Sequence, residues 1–319
     1  MPPIETVLKQ TAFVLTEGSI YERLRRHPAA ELDPHLAHAG LIYDPQAAGI
    51  LAQVHHEYLD VGQRHRLPMI ALTDTWRASR ERIDRSPFAS RAVNQDNARF
   101  LCAIRDTYGP QAAPMLIGGL MGCRGDAYRP EEALSKDEAA AFHTYQAQAL
   151  AETDVDFLMA STLPAFSEAL GMAAALAATS RPYVLSVVLR RNGALLDGTP
   201  FHRFIEAIDA AVGRPPVGYF VNCVHPTVFE AALTAGEVNE RGLLDRIIGF
   251  QANTSARSPE ELVHLNALET EEPSTFAASM LAVRRRFGLS ILGGCCGTDT
   301  RHIEGLAVGY IREAPVVST

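Results

Sequence analysis

Hydrophobic positions along the chain fall into short apolar runs that alternate with longer stretches of helical periodicity. The first run, Phe13-Val14-Leu15-Thr16, closes at Glu17-Gly18. From Asp44 to Gly62 the period changes: Ile50, Leu51, Val54 and Tyr58 share one face, Asp44 is a capping residue, and Pro45 suits the first helical position. Met69 to Thr73 predicts a second strand, followed by a helix bearing Val93, Phe100, Leu101, Ile104 and Tyr108 that stops at Gly109-Pro110. Met115 to Gly119 predicts a third, and Ser135-Lys136-Asp137-Glu138 then has capping-box form. Strands four and five are expected at Asp156 to Ser161 and Tyr183 to Val188. An alanine-rich helix between them ends before Arg181-Pro182, and Phe201, Phe204, Ile205 and Ile208 mark the next. Val217 to Asn222, Arg246 to Phe250 and Leu289 to Leu292 complete the strands. An acidic loop, Glu269 to Glu272, precedes a helix with Phe276, Met280 and Phe287, and Thr298, Asp299 or Thr300 caps a last one. The polar segment Arg25 to Tyr43 reads as a loop or short helix above these elements.

Strand and helix thus alternate without a composition break or linker, which favours an α/β fold, a single-domain (β/α)₈ TIM barrel spanning residues 1–319, over a doubly wound sheet. The length of 319 residues and 47% hydrophobic content suffice for one large core. A net charge of −8 without a long Lys/Arg run argues against a nucleic-acid partner, and neither glycine-rich phosphate-binding motif is present. No signal peptide and no membrane-length apolar run are visible, so the expectation is a cytoplasmic protein with no membrane partner. Five irregularly spaced cysteines read as reduced thiols.

The chemistry concentrates at Gly293-Gly294-Cys295-Cys296-Gly297-Thr298. Adjacent cysteines in a strand point to opposite faces, so both serve one ligand only where the strand has ended and the backbone turns. Three thiolates with one open position make a catalytic zinc arrangement, and Cys223, delivered by the sixth strand, is the best third sulfur. Cys102 and Cys123 lie in weaker contexts. A vicinal Cys295–Cys296 disulfide and ordinary buried thiols are the alternatives. His225 is a further candidate ligand, which would close the site as a structural centre.

Val221-Asn222-Cys223 together with the Gly-Gly-Cys-Cys-Gly-Thr run resembles the homocysteine S-methyltransferase family of zinc-dependent thiol methyltransferases. Weaker similarity runs through Glu17-Gly18-Ser19, Tyr58 to Gly62, Thr73 to Ala78 and Asp197 to Pro200. The resemblance implies Zn²⁺ on Cys223, Cys295 and Cys296. It also implies an acceptor amino group held at Glu17 and Ser161, where the family has Asp and Glu, with the Gly18 and Ser19 amides facing the acceptor's carboxylate. Asn253 matches a recurrent family position and also suits a turn. Because Ser161 carries no charge, weak homocysteine binding or a preference for another small thiol is expected.

The implied reaction moves a methyl group from a sulfonium or ammonium donor to homocysteine or a related thiol, giving methionine or another thioether. Trp76 and Tyr219 are candidates to cradle the cationic donor. The rival readings are a zinc-binding barrel used as a binding or regulatory subunit, and a redox sensor at Cys295-Cys296.

Overall fold

The computed structural model describes residues 3–257, 261 and 270–313. Its strands are β1 (Val14–Thr16), β2 (Met69–Leu72), β3 (Met115–Met121), β4 (Phe157–Leu163), β5 (Tyr183–Val187), β6 (Gly218–Asn222), β7 (Ile247–Ala252) and β8 (Ile291–Gly294). They pair in parallel in chain order, and β1 meets β8 through Val14–Ile291 and Leu15–Leu292, closing the (β/α)₈ barrel that the alternation predicts.

The helices are α1 (Ile4–Gln10), α2 (Tyr21–Arg25), α3 (Pro45–His65), α4 (Arg80–Asp84), α5 (Val93–Asp106), α6 (Lys136–Ala151), α7 (Phe166–Ala177), α8 (Phe201–Ala211), α9 (Pro226–Ala235), α10 (Pro273–Phe287) and α11 (Thr300–Glu313). Their ends follow the local chemistry. Asp44 Oδ1 accepts the Ala47 N–H at 2.8 Å and starts α3 behind Pro45, while Glu138 reaches back to the Ser135 N–H at 3.1 Å to start α6. Of the three candidate caps for α11, Asp299 serves, taking the Arg301 N–H at 2.9 Å.

The parity of each strand divides the core in two. Val14, Ile70, Leu116, Phe157, Met159, Val184, Phe220 and Ile291 fill the lumen, whereas Leu15, Met69, Leu158, Leu185, Tyr219 and Leu292 face the helices. α1 adds Ile4 and Val7 to the lumen cluster, closing the end of the barrel opposite the strands' C-termini. This short helix has no counterpart in the expectations from sequence. Neither has α9: the His225-Pro226 step reads as loop, yet Pro226 is its first residue and the His225 side chain accepts the Thr227 N–H at 3.2 Å. Strand seven begins one residue late because Leu244–Arg246 forms a 3₁₀ turn. Glu269 of the expected acidic loop lies outside the described residues.

The segment between α2 and α3 folds over the mouth as expected. Asp33 Oδ1 accepts the amides of His35 and Leu36 at 2.7 and 2.8 Å, and a 3₁₀ turn follows at Ala39–Tyr43. His38, between them, is buried. No described helix is long and apolar enough to cross a membrane.

Candidate metal centre and acceptor pocket

Cys223 follows β6, and Cys295 and Cys296 follow β8, so the motifs meet at the barrel's C-terminal mouth. The three Sγ atoms lie within 4.8 Å of one another. Strand parity alone would send Cys223 outward, since Phe220 and Asn222 alternate with the outward Tyr219 and Val221. The residue instead adopts φ +56°, a left-handed conformation that re-aims the thiol. A non-glycine residue there is strained by about 1–3 kcal/mol and persists because its surroundings hold it. Cys223 N–H donates to Gln251 O at 3.0 Å, and its carbonyl accepts from Asn253 Nδ2 at 2.9 Å.

Asn253 also takes the Cys296 N–H on its Oδ1 at 3.1 Å, so one buried carboxamide links the two cysteine segments. Cys295 N–H donates to Ala252 O at 2.7 Å, and Gly294 N–H to Glu17 O at 3.0 Å. Gly294 itself is required by space: a Cβ there would collide with the Thr298 side chain.

The sulfurs of Cys223 and Cys295 are paired as in a disulfide, with Cα atoms 5.5 Å apart, while Cys296 is free, 4.0 Å from Cys223 Sγ. The vicinal Cys295–Cys296 disulfide is therefore not formed. Burial first, then the Glu22 charge, pushes the Cys296 thiol up to about 12. In a tetrahedral zinc site sulfurs sit about 3.8 Å apart, from a metal–sulfur bond of about 2.3 Å. The 4.0 Å contact fits that spacing.

Beside the sulfurs is a cavity of about 250 Å³ lined by Glu17, Gly18, Ser19, Ser161, Trp76 and the three cysteines, among others. Glu17 Oε2 accepts the Leu72 N–H at 3.2 Å and lies 4.0 Å from His55 Nδ1. Burial pushes this carboxyl up to about 8, with His55 opposing and Asp74 adding to the rise. Burial pulls His55 down, but the charge and hydrogen bond of Asp74, with Glu17, outweigh it and raise it. Asp74 is held well below the usual carboxylate range: His55 and His38 overcome the opposing effect of burial. Ser161 is buried on the opposite wall, its Oγ 3.4 Å from Thr162 Oγ1. Thr162 is again left-handed, φ +62°, pinned by Asn222 Oδ1 on its N–H at 3.1 Å and Asn222 Nδ2 on its hydroxyl at 2.7 Å.

Residues 14–308 match the family model described as homocysteine S-methyltransferase. The chain belongs to the homocysteine S-methyltransferase family. Membership makes it a methyltransferase acting on small molecules. A Bacillus subtilis relative, homocysteine S-methyltransferase YbgG, is 23% identical, the match covering 96% of this chain and 97% of that protein. Two structures of the Escherichia coli homocysteine methyltransferase MmuM share the fold at 24% identity. The oxidised form has a TM-score of 0.76 over 97% of this chain and 99% of its own, and the metallated form 0.75 over 96% and 99%.

Within this family member, three of the residues singled out from sequence stand elsewhere than expected. Tyr219 faces outward, fully buried, and its hydroxyl donates to Asp209 Oδ1 at 2.7 Å, so strand parity removes it from any donor site. His225 is no ligand: it caps α9 and lies 3.6 Å from Glu271, apart from the sulfur group. Asn253 is not among the cavity-lining residues, and both ends of its amide are engaged with the cysteine segments. Trp76 does line the cavity, with Nε1 donating to Ser161 O at 3.3 Å and the Arg77 guanidinium 4.2 Å from its ring centre. Sequence reasoning passed over His38, His55 and Tyr128, and gave Asp74, within the Thr73 to Ala78 similarity, no role of its own. Of these, only His55, on the inward face of α3 beside Val54 and Tyr58, carried a periodic signal.

Proposed function

We propose that the protein is a zinc-dependent S-methyltransferase that moves a methyl group from a sulfonium or ammonium donor to homocysteine or a related small thiol, forming methionine or another thioether. The observation that carries this reading is the convergence of Cys223, Cys295 and Cys296 beside a cavity that also contains Glu17. Zinc on these thiolates keeps an acceptor sulfur deprotonated at neutral pH, where a free thiol is mostly protonated.

The chain's own residues then orient the partners. Glu17 faces the acceptor's amino group. The Gly18 N–H, without an acceptor among the described residues, is available to the acceptor's carboxylate, whereas the Ser19 N–H already donates to Thr298 Oγ1 at 3.1 Å. Ser161 offers a hydroxyl. Asn253 acts through the cysteines by bonding to the backbone of Cys223 and Cys296. Tyr21, Trp76 and Tyr128 line the cavity and offer aromatic faces to a cationic donor, whose methyl group must lie in line with the acceptor sulfur. Chemistry that depends on three reduced thiols belongs in a reducing compartment, the basis for reading the protein as cytoplasmic.

The test is incubation of reduced, zinc-loaded protein with homocysteine and, in turn, sulfonium and ammonium donors, with mass spectrometry of the thiol. A thioether heavier by one methyl group is expected from at least one pair. No product from any pair, with zinc bound stoichiometrically, would sink the reading and favour a binding subunit.

A further inference from the structure

The acceptor pocket contains a second acid that the cysteine motifs do not point to. Asp74 follows β2 and lines the same cavity as Glu17 and Ser161. Its side chain is 1% exposed. Oδ2 accepts from His55 Nε2 at 2.9 Å, while Oδ1, 3.2 Å from His38 Nε2 but out of hydrogen-bond alignment, has no hydrogen bond. His38 Nδ1, on the same cavity, is also unpartnered. A buried anionic oxygen whose nearest donor is a poorly aligned His38 ring is incompletely satisfied, and a ligand carrying N–H groups would complete it.

The charges point to the same ligand. His55 lies between the acids, with Nε2 on Asp74 and Nδ1 4.0 Å from Glu17 Oε2. With Glu17 ionised, His55 protonated and His38 neutral, the cluster carries a single net negative charge, which one ammonium neutralises. An arriving cation also favours the ionised form of Glu17, which burial alone disfavours. Ser161, on β4, contributes no charge to this balance.

Resting on the thiol-acceptor reading above, we infer that Asp74 is the second anion of the acceptor pocket, in place of the acid absent at Ser161. With Glu17 it selects thiols that bear an ammonium group, the amino-acid thiols. The weak homocysteine binding expected from Ser161 alone then does not follow, because the charge has been relocated from β4 to the loop after β2.

Titration calorimetry on the reduced, zinc-loaded full chain separates the outcomes, using homocysteine and 4-mercaptobutanoate, the same thiol acid without its amino group. Wild type should prefer homocysteine by roughly 10- to 100-fold. Asp74→Asn should lower homocysteine affinity by a similar factor and leave 4-mercaptobutanoate unchanged within error, and adding Ser161→Glu should restore the preference. Equal binding of the two thiols by wild type overturns the inference without recourse to any variant. So does an Asp74→Asn protein, with zinc content and circular dichroism intact, in which both thiols weaken equally or neither weakens. If wild type binds neither thiol, the acceptor reading itself has failed and the role of Asp74 falls with it.

Discussion

On the β6 to β8 side of the mouth, three sulfurs are positioned chiefly by bonds to the main chain: Cys223 through Gln251 and Asn253, Cys295 through Ala252, Cys296 through Asn253. On the β1 to β4 side, Glu17, His55, Asp74 and His38 position one another through side-chain charge, and His38 Nδ1, His55 Nδ1 and Asp74 Oδ1 have no hydrogen bond. Main-chain bonds do not titrate, so the backbone frame of the first region does not depend on pH, whereas its thiols do. The second is an arrangement of buried charges whose strength depends on protonation and on what fills the cavity.

The largest effect should come from breaking the sulfur side directly. In Cys223→Ser, bound metal should fall from stoichiometric to trace by elemental analysis. Methyl transfer should drop by more than the roughly 10- to 100-fold that loss of a supporting partner costs. Asn253→Ala is expected to lie within that range for metal affinity, measured by competition with a chelator, because it leaves the Cys223 carbonyl and Cys296 N–H without their shared partner. Unchanged affinity would mean that the remaining main-chain bonds suffice.

The acceptor side should instead respond to pH. Glu17, raised from 4.5 to about 8, binds its proton more tightly folded than unfolded. Its contribution to stability is therefore full below 4.5 and is lost as pH rises toward about 8. His55 is also raised, and its contribution is lost in the same direction above its ordinary 6.5. Asp74, lowered, loses its contribution only as pH falls below 3.8, outside this window. Metal-free, reduced protein should thus lose about 1–4 kcal/mol of stability across the window in denaturant titrations, and Glu17→Gln should flatten the slope. A slope that survives the substitution would move the titration to another group. The smallest effect belongs to Tyr219→Phe, which removes a hydrogen bond outside the barrel. A loss of about 0.5–1.5 kcal/mol is expected, with donor KM unchanged. A raised KM would return Tyr219 to the donor site.

The sulfur side was legible in the sequence because its signals are local: a glycine-flanked cysteine pair after one apolar run and a third cysteine after another. The barrel was legible for the same reason, since each strand–helix unit announces itself by period and cap, as Asp44-Pro45 and Ser135 to Glu138 do. The charge cluster was not. Glu17 and the segment containing Asp74 stand out by resemblance, but His38 and His55 come from separate segments, and the four form a charge cluster only when the barrel closes. For Tyr219 the deciding signal is strand parity, which turns it outward, away from any donor site. Asn253 was read as a substrate or turn residue because a carboxamide that bonds to two distant backbones leaves no periodic trace.

Ile4 and Val7 stopper the far end of the lumen. The cavity beside the sulfurs lies at the other end, where His38 is among its lining residues. Direct methyl transfer needs both reactants in that cavity at once. Initial-rate patterns should accordingly be sequential.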